Sequence, residues 1–171
     1  VVRRVCVLGA ESTGKTTLAR DLADALATVW VPEYGRDYTE TLPDRLRYGW
    51  TTPDFEIISK RQNWNEDRAA RYANRIVIVD TDAFATSLFH ELYVGYRAPE
   101  LDTYLRRYDL YLLTSIDTPF QMDVTGLRYD GDTRAFMDAT YQRHAEESGA
   151  PWAALAGPPQ ERLRTAVDAV G

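Results

Sequence analysis

One cysteine, Cys6, is all the thiol this chain has. No internal disulfide can form, and a reduced, cytoplasmic setting is the simplest reading. Long apolar runs are missing. None approaches the roughly 20 residues of a membrane-spanning helix, and no signal-peptide pattern opens the chain, so no membrane partner is expected. A basic surplus is missing too: 20 Lys and Arg stand against 26 Asp and Glu, a formal charge of −6. Nucleic-acid binders are usually basic, so that class is set aside. Repeats, low-complexity tracts and linkers are also lacking. The 171 residues suit one domain, 1–171, with a real core. Hydrophobic content of 44% and charged content of 27% are ordinary for a soluble globular protein. The chain starts at Val1 rather than Met and enters its first strand almost at once. It reads as a trimmed or excised domain, with something preceding it in the full protein.

What is present is one stretch with a mechanical meaning. Gly9, Ala10, Glu11, Ser12, Thr13, Gly14, Lys15 and Thr16 spell G-x-x-x-x-G-K-[ST], a phosphate-binding loop. The context agrees. Residues 5–8 are a short apolar run that reads as a buried strand, and Leu18, Leu22 and Leu26 recur at helical spacing over 16–27. Gly9 and Gly14 open backbone conformations that let loop N–H groups turn inward around phosphate oxygens. The helix that follows adds its free N–H groups and positive dipole end. Lys15 is placed to reach the β- and γ-phosphates of ATP, and the Thr16 hydroxyl to ligate Mg²⁺. The candidate ATP cradle is Gly9, Glu11, Ser12, Thr13, Gly14, Lys15, Thr16 and Thr17.

Other chemistry falls at later strand ends, where ligands bind in open α/β sheets. A second strand is read at 28–31, stopped by Pro32. Glu33, Tyr34, Arg36 and Tyr38 follow it and are placed where an acceptor would lie; a solvated surface charge is the plain alternative for Arg36. A helix is predicted over 52–73, with Thr52 as cap and Pro53 in its first turn. Gln62 and Trp64 on it are candidate ligand contacts, with core packing the alternative for Trp64. Residues 75–80 form the clearest strand, apolar on both faces. Asp80 at its end has the form of a Walker B carboxylate holding Mg²⁺. Asp82, two residues on, is either a second functional carboxylate or the cap of the next helix. His90, on that helix, reads as structural.

A fourth strand is read at 108–113. Residues 117–134 are punctuated by glycine and carry Arg128 and Arg134, the composition of a lid that brings arginine over a transferring phosphoryl group. Asp123 and Gly126 also spell D-x-x-G, taken as accidental because no N-K-x-D guanine-reading motif exists. A helix over 132–147, a short strand at 152–156 and a closing helix over 160–170 complete the chain. Gly157 and Pro158, in the turn after the last strand, are candidate adenine contacts, and Arg162 and Arg164 share one side of the closing helix. The alternation predicts an α/β, three-layer P-loop NTPase fold: a parallel sheet of about five strands with helices on both faces.

The ordered set of Gly9 to Thr16, Glu33 to Arg36, Val79 to Asp82, and Asp123 with Gly126, Leu127 and Arg128 resembles the ribosylnicotinamide kinase domain of NadR-type proteins. The resemblance runs from about Arg3 to the C-terminus. It implies ATP- and Mg²⁺-dependent phosphorylation of the 5′-hydroxyl of nicotinamide riboside to nicotinamide mononucleotide. It also implies an adenylyltransferase domain before the kinase in bifunctional members. Gly35 stands where that family suggests Ala, and the run at Asp123 is less acidic than the family's. A pyridinium acceptor suits aromatic faces and acidic neighbours, and Tyr34, Tyr38, Trp50 and Trp64 sit near Glu33 and Asp37 in sequence. Either Glu33 or Asp82 is expected to take the hydroxyl proton. The rivals are a deoxynucleoside kinase, with Glu33 as the strand-end base, and a regulatory ATP-binding module without phosphotransfer.

Overall fold

A computed structural model describes residues 1–42, 49–117 and 131–171. In chain order the elements are β1 (Arg3–Gly9), α1 (Lys15–Ala25), β2 (Val29–Val31), α2 (Tyr34–Thr41), α3 (Thr52–Ala70), β3 (Ile76–Asp80), α4 (Ala83–Val94), a 3-10 turn (Pro99–Tyr104), β4 (Leu110–Thr114), α5 (Gly131–Ser148), β5 (Trp152–Leu155) and α6 (Pro159–Val170). The five strands order as β2-β3-β1-β4-β5, every neighbouring pair parallel. β1, which carries the glycine loop, is therefore central.

Alternation along the strands builds the layers. Val5 and Val7 of β1, with Leu110 and Leu112 of β4, face one core, filled by Leu18, Leu22 and Ala23 of α1 and Ala166 and Val170 of α6. Cys6, Leu8, Tyr111 and Leu113 face the other, filled by Ala85 and Leu88 of α4 and Met137, Tyr141 and Ala145 of α5. A third cluster, Phe55, Ala98 and Leu101 with Trp50 and Tyr93, joins α3 to the segment after α4. Among the described residues no helix is long and apolar enough to cross a membrane.

Most boundaries fall within a few residues of expectation, the helix predicted to residue 73 ending at Ala70, and three differences are worth their local detail. The cap of α3 is Thr51, not Thr52: Asp54 accepts from the Thr51 N–H at 2.9 Å, a reciprocal capping box. β4 begins at Leu110, and the two residues before it are held by side chains: Tyr108 donates its hydroxyl to Glu66, and the Asp109 carboxylate accepts the Arg4 N–H. The run from Tyr34 folds as helix α2, an element the sequence pattern did not announce. The start of α2 is fixed from outside, its Tyr34 N–H donating to the Gln62 side chain at 2.9 Å.

Candidate active site

The register of the central strands assembles the site. β1 and β3 pair Val7 with Asp80, and β1 and β4 pair Gly9 with Thr114. The start of the glycine loop thus lies between the ends of β3 and β4. Gly9 is required by close approach: a Cβ there would stand 2.1 Å from the Thr114 hydroxyl oxygen. Gly14, at φ 80°, caps α1 in a left-handed conformation that glycine adopts without strain. Thr13 donates to the Ala10 carbonyl at 2.7 Å and meets the Thr114 hydroxyl at 2.6 Å, which fixes the loop on its β4 side. The Lys15 ammonium donates to the Ala10 carbonyl at 2.8 Å, folded back over the loop it serves.

On the β3 side, the Thr16 hydroxyl donates to Asp80 at 2.6 Å. Asp80 is fully buried. Burial pushes its carboxyl above the usual range, while the Thr16 hydroxyl, Lys15 and Arg36 pull it back. A hydroxyl and a carboxylate side by side at a phosphate loop are hard oxygen donors, the kind Mg²⁺ takes in pairs beside substrate phosphates and water. The residues present therefore fit that ion.

Glu33 stands at the end of β2, half-buried, on the wall beside the loop. Burial is the first cause of its raised pKa, followed by the nearby charges of Glu11 and Asp80; Lys15 and Arg36 oppose them, and the carboxyl comes to about 7. Arg36 is exposed one turn into α2, near enough for its charge to register on both Glu33 and Asp80. Arg134 is buried in the first turns of α5. Further along α5, Tyr141 is buried in the core with Leu8 and Tyr111, and burial, then the charges of Glu11, Asp82 and Glu33, raise its hydroxyl pKa.

Several expected site residues make contacts within the scaffold. Asp82 does cap the following helix, accepting from the Ala85 N–H at 2.9 Å, and its other oxygen lies 3.7 Å from His144. The cause is Thr81, whose φ of 71° breaks the strand's alternation, so Asp82 does not share the outlook of Asp80. A left-handed β-branched residue is rare and strained. Here it is clamped by its N–H bond to the Val7 carbonyl at 3.0 Å. Gln62 bridges the Tyr34 N–H and the Thr81 carbonyl, so both ends of its amide are engaged by backbone. Trp64 is neither core nor grouped with the other aromatics. It is 47% exposed, with the Arg61 guanidinium 4.4 Å from its ring centre and Arg68 at 5.5 Å. Tyr34, Tyr38 and Trp50 do come together, with ring centres 6.2 and 6.4 Å apart in turn, but the Tyr38 hydroxyl is committed to Asp54 at 2.8 Å. His90 is fully buried against Phe55 and Tyr96, as a structural histidine should be.

On the β5 side, the Gly157 N–H donates to Asp117 at 2.6 Å, and Pro158 caps α6. Arg128, Asp123 and Gly126 lie outside the described residues. Arg162 contacts the glycine loop directly, donating to the Thr13 carbonyl at 2.8 Å. Sequence gave no reason to single it out beyond its place on α6, because the contact spans the whole chain.

Comparison with known proteins agrees with this geometry. The chain is 34% identical over 142 residues to the Salmonella typhimurium protein named trifunctional NAD biosynthesis/regulator protein NadR, an alignment covering 80% of this chain and 34% of that protein. The chain thus spans about a third of the length of that curated relative. A crystal structure of NadR protein in complex with NR superposes with a TM-score of 0.77 and 27% identity, over 99% of this chain and 50% of that one. A second, NadR protein in complex with NAD and AMP-PNP, gives a TM-score of 0.76 and 27% identity over 99% of this chain and 48% of that one. A family model described as AAA domain matches residues 4–162, from the first strand through the loop and both flanking carboxylates to Arg162. The chain belongs to the AAA-domain family.

Proposed function

We propose that this domain transfers the γ-phosphoryl group of ATP to the 5′-hydroxyl of nicotinamide riboside, giving nicotinamide mononucleotide. The observation that carries the kinase reading is Glu33: a carboxylate with a pKa of about 7, beside a phosphate loop whose Thr16 and Asp80 are already paired. The choice of acceptor is supported by the similarity to NadR proteins, one of which is described with NR bound. A cytoplasmic setting, and an adenylyltransferase domain ahead of this one in the full protein, belong to the same proposal.

Phosphoryl transfer is mostly positioning and electrostatics. Lys15 exchanges its bond to the Ala10 carbonyl for phosphate oxygens, and the loop N–H groups hold the rest of the chain of phosphates. Glu33 accepts the proton of the attacking hydroxyl; its pKa near the working pH lets it be ionised before the step and protonated after it. Asp82 is left to its helix. Thr16 and Asp80 would hold Mg²⁺, which would supply positive charge to offset that of the phosphates. Arg134 is assigned to the charge that develops on the transferring group, and so, on the sequence pattern alone, is Arg128. Tyr34, Arg36 and Tyr38 line the acceptor side, and Gly157 with Pro158 the adenine side.

A coupled ADP-release assay with nicotinamide riboside and a panel of nucleosides tests this. Turnover of nicotinamide riboside is expected. Turnover of deoxycytidine or thymidine without it would overturn the acceptor, and tight ATP binding with no acceptor phosphorylated would favour a regulatory module.

A further inference from the structure

Arg162 sits on α6 and is 4% exposed, yet every bond of its guanidinium is to a residue outside that helix. Its Nε donates to the Gly157 carbonyl at 2.8 Å. One terminal nitrogen donates to the Thr13 carbonyl at 2.8 Å; the other donates to the Ser115 carbonyl at 3.2 Å and to the Asp117 carboxylate. The second Asp117 oxygen takes the Gly157 N–H at 2.6 Å. Gly157, at φ 85°, holds a turn that other residues rarely adopt, and a Cβ there would meet the Glu161 carboxylate at 2.8 Å.

One side chain therefore fastens three segments that leave the carboxyl ends of β1, β4 and β5. The first is the phosphate loop. The other two flank the place assigned to adenine. Only a planar fork of several donors can hold acceptors spread in this way; a lysine offers a compact charge on a flexible stem. The guanidinium shares no partner with Lys15, which bonds to Ala10, or with Thr16 and Asp80, which bond to one another.

We propose that Arg162 is a positioning residue that couples the base side of the nucleotide site to the phosphate loop. The purine then adds to affinity only while Arg162 and Asp117 hold the Gly157 turn against Thr13. This rests on the reading of the glycine loop as an ATP site.

Titration calorimetry with ATP and with inorganic tripolyphosphate separates the two halves. The unaltered domain is expected to prefer ATP. Arg162→Lys is expected to shrink that preference by about tenfold, the scale of a charge-assisted hydrogen bond. Tripolyphosphate affinity should change less, and KM for ATP should rise more than kcat falls. Asp117→Asn, on a side chain 39% exposed, should shift the preference the same way by a smaller factor, and it carries the test alone if Arg162→Lys does not fold. Equal weakening of both ligands, or an unchanged preference in variants that bind ATP, would overturn the coupling. An unaltered domain that does not bind ATP would overturn the underlying nucleotide reading and the coupling with it.

Discussion

Glu33 and Glu66 are both buried enough to be pushed to a pKa of about 7, and they lie at opposite ends of the sheet. Glu66, on α3, is fully buried below the amino ends of β1 and β4. It accepts from the Tyr108 hydroxyl at 2.9 Å and from Arg4 at 3.1 Å. Its neighbour Asp67 takes both nitrogens of Arg106, at 2.7 and 2.8 Å, and a further bond from Arg4. Those guanidinium bonds hold Asp67 well below the usual carboxylate range. Glu33 differs in its partners: Glu11 and Asp80 raise it and Lys15 and Arg36 act on it only through their charge, since among the described residues no cation forms an ion pair with it. A raised pKa alone therefore does not mark a site. What separates the two is whether the remaining hydrogen-bonding capacity is already spent on the protein.

The comparison breaks most visibly at the carboxyl edge. Lys15→Ala should remove nearly all phosphoryl transfer, a loss of about 10³-fold or more, because it deletes the charge nearest the transferring group. Circular dichroism should show the fold retained. Full activity in Lys15→Ala would end the kinase account. Next in size is Glu33→Gln, expected to lower kcat by about 10²–10⁴-fold. At subsaturating concentrations of both substrates, kcat/KM of the unaltered domain should fall as pH drops through about 7, where Glu33 gains its proton. The glutamine variant should lose that limb. A limb that survives in Glu33→Gln would move the base elsewhere.

The same contrast explains what the sequence disclosed. The glycine loop, the end of β3 and the two-faced core were legible because each depends on residues close in sequence: a motif, a run of β-branched residues, a helical stripe. Asp80 could be read as a strand-end carboxylate for that reason. Asp82 could not be separated from it, because its fate turns on the left-handed backbone of Thr81, and no residue type at that position announces one. Trp64 looked like a partner of Tyr34 and Tyr38, but helical phase turned it outward, under Arg61 and Arg68. Arg4, Glu66, Asp67 and Arg106 meet only through tertiary packing, and so do Arg162 and Thr13.

At the amino edge the expected effect is on stability, not turnover. Glu66→Ala leaves Tyr108 and part of Arg4 without their acceptor and opens space in the core, at a cost of about 2–4 kcal/mol by denaturant unfolding. Activity per folded molecule should be unchanged. Glu66→Gln sharpens the point through pH. The folded-state pKa of Glu66 is raised from an ordinary 4.5 to about 7, so its contribution is fully present below 4.5 and is lost as pH rises through 7. The glutamine variant should lack that decline. Asp67 works in the opposite sense: its lowered pKa gives stability that is present above 3.8 and lost as pH falls below it. A kinase pH profile altered by Glu66→Gln would join the two ends and undo the contrast.

The smallest effect sits beside Glu33. Gly35 occupies the second position of α2, and a Cβ there would lie 3.6 Å from the Glu33 carboxylate and 3.7 Å from Ile58, ordinary contact distances. Gly35→Ala should therefore fit without displacement and stabilise α2 by about 0.5 kcal/mol, read as a small rise in Tm. The added methyl also excludes water from one side of Glu33. If burial is the main reason that carboxyl stands high, the acid limb of kcat/KM should move to higher pH by a fraction of a unit, with kcat at high pH preserved. A limb that moves downward would mean that the opposing cations, Lys15 and Arg36, outweigh burial in setting the base.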